Sequence, residues 1–107
     1  RRRKRSPLRD VAGMLRSFAY AASASVIQRD VEPPAGWEDE CRTEFLEGYL
    51  ATVEPSLLPP DRKSVERLLT VFELEKAVYE LRYELGNRPD WVSIPVAGIL
   101  RMLEQDL

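Results

Sequence analysis

The chain has 107 residues, enough for one small domain around a single core, and its 44% hydrophobic and 32% charged content excludes a disordered tail. It holds no histidine and one cysteine, which excludes a histidine-based catalytic triad, a histidine metal site and an internal disulfide. The net charge is −2, but the first five residues are all basic, so residues 6–107 carry −7. Such a field repels a phosphate backbone and argues against nucleic acid as a partner.

The basic leader, residues 1–6, reads as a solvated segment. No apolar run and small-residue cleavage site follow it, so it does not resemble a signal peptide. The least charged stretch, Val11 to Gln28, is interrupted by Arg16 and rich in Ala and Ser, too polar to span a membrane. A cytoplasmic protein with Cys41 as a buried thiol is the expectation. The five glycines lie far apart, so no phosphate-cradling loop is present.

Ser6-Pro7 opens a helix predicted over about 7–28. Ser6 can accept from a free amide, Pro7 suits the first helical position, and Asp10 opposes the dipole in the first turn. Val11, Met14, Leu15, Phe18 and Ala22 form its apolar stripe. Pro33-Pro34 and Gly36 then break the helix. A second helix over about 37–53 begins with Glu38, Asp39 and Glu40, and Cys41, Phe45, Tyr49 and Val53 line one side. Pro55, Pro59 and Pro60 form the next joint.

Asp61 caps a third helix over about 61–85, with Gly86-Asn87 as its stop signal. Val65, Leu69, Phe72, Lys76, Tyr79 and Tyr83 share one face. Val71, Leu74, Val78, Leu81 and Leu85 share the opposite one, with Glu66, Glu73, Glu80 and Glu84 as a stripe between. Two apolar faces predict a helix sandwiched between neighbours. A turn at Arg88-Pro89-Asp90-Trp91 leads to a last helix over about 94–104. The expected architecture is all-α, four helices with proline-rich joints.

Two segments resemble maltokinases, relatives of the aminoglycoside phosphotransferases and protein kinases. One is Ser6-Pro7-Leu8-Arg9-Asp10-Val11-Ala12-Gly13-Met14 and its continuation to Ala22. The other runs from Glu75 to Trp91 and contains Tyr83-Glu84-Leu85-Gly86-Asn87-Arg88-Pro89-Asp90-Trp91. The resemblance is weak between Gln28 and Arg62. It implies that residues 7–107 are the four-helix C-terminal subdomain of a protein-kinase-like C-lobe, with the leader coming from the kinase loop just upstream. The family transfers the γ-phosphate of ATP to maltose, giving maltose 1-phosphate for α-glucan synthesis, and is often fused to trehalose synthase. The family's catalytic Asp follows a His-Gly motif that this chain lacks, so no catalytic residue, metal ligand or nucleotide contact is expected here. ATP and magnesium would belong to the parent kinase, and this chain alone would be inactive. Its partners would be the N-lobe and catalytic loop.

The resemblance also implies roles for particular residues. Tyr79 and Tyr83, one turn apart, offer rings for stacking and hydroxyls for a sugar; alternatively they are core aromatics. Arg101 either faces the sugar or is a surface arginine. Asp10 either anchors backbone amides of the catalytic loop or only offsets the helix dipole. Trp91 with Asp90 reads as packing beside a cap, Arg88 as a partner of Glu84, and Trp37 and Phe45 as core. Lacking the rest of the kinase, the face bearing Phe72, Tyr79 and Tyr83 would stay partly uncovered and could support a homo-oligomer. A non-catalytic helical interaction module is the competing function.

Overall fold

The computed structural model describes residues 6–105; the basic residues 1–5 of the leader lie outside it. Four helices follow in order: α1 (Pro7–Arg29), α2 (Trp37–Thr52), α3 (Arg62–Asn87) and α4 (Ser93–Gln105). Single 3-10 turns at Pro55–Leu57 and Pro89–Trp91 lie in two of the joints. No strand occurs among the described residues, and none of the helices there is long and apolar enough to cross a membrane.

Local chemistry sets the helix ends. The Ser6 hydroxyl accepts from the Leu8 amide at 3.2 Å, and Pro7 occupies the first turn. At the other end of α1, Asp30 adopts a left-handed conformation (φ 54°). The Asp30 and Val31 amides turn back to the carbonyls of Val26 and Ser25, satisfying acceptors the helix leaves open. Gly36 takes φ 79° just before α2, a conformation that a side chain disfavours. Asp61 accepts from the Ser64 amide at 2.7 Å and caps α3.

α3 continues through Gly86 to Asn87 instead of ending on a left-handed glycine. It stops at Arg88, whose backbone leaves the helical region (φ −140°, ψ 75°), because the following Pro89 disfavours that region. The Asn87 side-chain amide donates to the Tyr83 carbonyl at 2.8 Å and satisfies one terminal acceptor.

The apolar core lies between the first halves of α1 and α3. Leu8, Val11, Ala12 and Leu15 meet Val65, Leu69 and Phe72, and Phe18, Phe45 and Tyr49 pack around them. Phe18 makes edge-on contacts with Trp37 and Phe45 at centroid distances of 6.5 and 6.0 Å, which fastens α2 to α1. Cys41 is only half-buried, and Met14 is exposed and leaves the α1 stripe.

Farther along, the α1–α3 contact becomes ionic. Arg16 is 1% exposed and grips Glu80 through Nε and Nη2 at 3.1 and 2.7 Å. Glu84, also buried, receives Tyr20 Oη at 2.8 Å and two Arg88 bonds at 2.9 Å. Arg42 from α2 holds Glu73 with bonds of 2.9 and 3.0 Å. Three of the four stripe glutamates are therefore interior groups, each neutralised by an arginine, and only Glu66 is exposed. The face of α3 expected to form a second buried side is instead open: Val71, Val78 and Leu85 are 50%, 43% and 61% exposed. α3 does lie between α1 and α4, but it turns its glutamates inward.

Candidate functional site

The first half of α1 and the middle of α3 border an open groove of about 510 Å3. α1 contributes Arg9, Asp10 and Gly13; α3 contributes Phe72, Glu75, Lys76 and Tyr79. Gly13 is inside a helix, and nothing lies within 4 Å of where its Cβ would be, so that wall is unobstructed.

Arg9 closes one end. Its Nη1 meets Glu75 Oε1 at 2.8 Å, and its guanidinium lies 4.3 Å from the Phe72 ring centroid. The ring face attracts the cation while the carboxylate orients it. Lys76 Nζ sits 5.6 Å from the Tyr79 ring centroid. Tyr79 itself is 64% exposed, so its ring and hydroxyl are open to solvent. Asp10 is exposed at the opposite wall, and its negative charge reaches Tyr49. Burial first, and Asp10 second, push the Tyr49 hydroxyl above its ordinary pKa. That hydroxyl is buried and makes no hydrogen bond among the described residues.

The groove brings together two of the four residues singled out in the sequence, Tyr79 and Asp10. Tyr83 stands one turn beyond, 47% exposed, with the Arg88 guanidinium 5.8 Å from its ring centroid. Arg101 is elsewhere. Its Nη2 meets Glu38 Oε2 at 3.1 Å, in a separate concavity shared with Glu32, Pro33 and Trp37. Trp91 stacks on Tyr20 at 6.2 Å, and Arg88 lies 4.0 Å from the Trp91 centroid; this is packing around the Glu84 pair. Arg9 and Glu75 also line the groove, beyond the site residues that the sequence pattern marks. Glu75 at i+3 from Phe72 and i−4 from Tyr79 was a usable signal for one of them; Arg9 is 66 positions away from its partner.

This arrangement is suited to holding a polar ligand. An exposed aromatic ring gives a stacking surface, two carboxylates accept, and an ammonium and a guanidinium donate. No group of three acidic or cysteine side chains among the described residues is positioned to hold a metal ion. No protein-family model matches the chain, and no solved structure matches it.

Proposed function

We propose that the chain is the helical C-lobe part of a maltokinase-like sugar kinase and that the α1–α3 groove contributes to the acceptor-sugar wall. The observation that carries this reading is Tyr79: a large ring left mostly in solvent, beside Lys76 and in the same groove as Asp10, in one of the two segments that resemble the family. One exposed ring is ordinary on a protein surface; what supports the reading is that this ring lines a groove with charged neighbours. A sugar needs a flat ring and nearby donors and acceptors. In the parent enzyme ATP and magnesium would be held by the rest of the kinase. Asp10, exposed at the start of α1, would receive backbone amides of the catalytic loop. Tyr83 would border the sugar. Arg101 would support α2 and α4 through Glu38, and reaching a sugar would require breaking that ion pair.

The test compares two proteins. The 107-residue chain with ATP, magnesium and maltose is expected to form no maltose 1-phosphate. On this reading kinase segments precede it in the coding sequence, and the chain joined to them is expected to form it. Turnover by the chain alone, or a joined protein inert towards maltose, overturns the reading. The second reading, an interaction module without a kinase, is favoured by one specific observation, the exposed apolar row on α3.

A further inference from the structure

The exposed row on α3 has an internal order. Val71, Glu75, Val78, Arg82 and Leu85 are all exposed. Their spacing of three and four residues aligns them along one side of the helix, over about 21 Å at 1.5 Å per residue. Half-buried Leu74 and Leu81 border the row on one flank. Read from either end, the row is apolar, charged, apolar, charged, apolar, and the two charges are opposite. Val71 and Leu85 are each seven residues from Val78, Glu75 is three before it, and Arg82 is four after it.

We infer that this face pairs with the same face of a second copy of the chain, with the two α3 helices antiparallel about a twofold axis at Val78. A twofold axis makes each contact occur twice. Val78 meets the partner's Val78, and Val71 meets the partner's Leu85. Glu75 meets the partner's Arg82, and Arg82 meets the partner's Glu75. A parallel pairing instead sets Glu75 against Glu75 and Arg82 against Arg82, which like-charge repulsion disfavours. The row thus selects one orientation and one partner, because the sequence carries its own complement. Arg82 makes no ion pair among the described residues. Among the described residues Glu75 is bound to Arg9 on an exposed surface, an interaction weak enough to be shared with a second cation. Packing at the small angle typical of antiparallel helix pairs suits valine and leucine in a 3-4 repeat. The row and the groove share one residue, Glu75, at the groove's rim; the pairing itself does not use the kinase reading, because Val71, Val78, Arg82 and Leu85 lie outside the groove.

Sedimentation equilibrium of the 107-residue chain tests it. The expected result is a monomer–dimer equilibrium with a constant on the order of micromolar to hundreds of micromolar. Glu75→Arg and Arg82→Glu alter exposed side chains, so both variants are expected to retain the wild-type circular dichroism spectrum. Each alone places like charges across the twofold axis and should weaken dimerisation about tenfold or more. Mixed together, the two variants should associate as tightly as the wild type, because every antiparallel charge pair is then opposite in sign. A particle of 12.3 kDa at every concentration up to about 1 mM overturns the inference. So does a dimer unaffected by either swap, or a mixture that stays monomeric.

Discussion

A Cβ placed on Gly98 would stand 2.6 Å from Nη1 of Arg16. The guanidinium buried between α1 and α3 therefore rests on α4 at the one position where that helix has no side chain. Arg16 cannot back away, because its other nitrogens hold Glu80, and Nη1 itself has no hydrogen-bond partner among the described residues. The fit links three helices through one side chain.

Gly98→Ala is expected to destabilise the fold by about 1–3 kcal/mol, the usual penalty for overpacking. Gly86→Ala is the control: its Cβ meets nothing within 4 Å inside α3, so it should be neutral or stabilising by roughly 0.5–1 kcal/mol. Arg16→Met leaves Glu80 buried without its cation and should cost about 3–5 kcal/mol. Urea unfolding of the three variants checks this. Equal stability of Gly98→Ala and Gly86→Ala would mean the guanidinium has room to move.

Stability should decline at both pH extremes through the Tyr20–Glu84 contact. Bonds from Arg88, then Tyr20, hold the Glu84 carboxyl below its usual range despite burial. A depressed carboxyl stabilises the fold above the unfolded value of about 4.3, and that contribution is lost as pH falls through the folded value. Tyr20 moves the other way, raised by burial first and by its bond to Glu84 second. Its contribution is complete below the ordinary value near 10 and fades as pH rises above it. Glu84→Gln should flatten the acid limb of a plot of unfolding free energy against pH, and Tyr20→Phe the alkaline limb. Unchanged limbs in both variants would mean the pair is not what titrates.

These same residues show which parts of the structure were legible in the sequence. Helix starts were, because a cap is local: Ser6 bonds Leu8, and Asp61 bonds Ser64. The Arg88–Glu84 pair was, since it spans one turn. The inward turn of α3 was not. Periodicity sees Glu73, Glu80 and Glu84 as polar and assigns them to water, and only arginines brought in by the fold reverse this. Arg16 lies 64 positions from Glu80, and Arg42 lies 31 from Glu73. In the groove, Tyr79 was legible as part of a polar-tipped face. Arg101 shared its chemistry but not its location, because Glu38, 63 positions away, holds it elsewhere.

On the kinase reading, Tyr79 should matter more to maltose than Tyr83 does. Tyr79 lines the groove with Lys76 and Asp10, while Tyr83 lies a turn beyond it beside Arg88. In the joined kinase, Tyr79→Phe removes one hydroxyl whose hydrogen bond contributes roughly 0.5–1.5 kcal/mol. That is a rise of about two- to tenfold in the maltose KM. Tyr79→Ala removes the stacking ring as well and should raise it further. The ATP KM should stay near wild type, because the nucleotide would be held outside these helices. Stability is the control, read in the 107-residue chain: Tyr79 is largely in solvent there, so Tyr79→Ala should change its stability by no more than about 0.5 kcal/mol. A lost maltose preference with an unchanged melting temperature would then report binding alone. If Tyr79→Ala keeps wild-type maltose kinetics, the groove is not the acceptor wall.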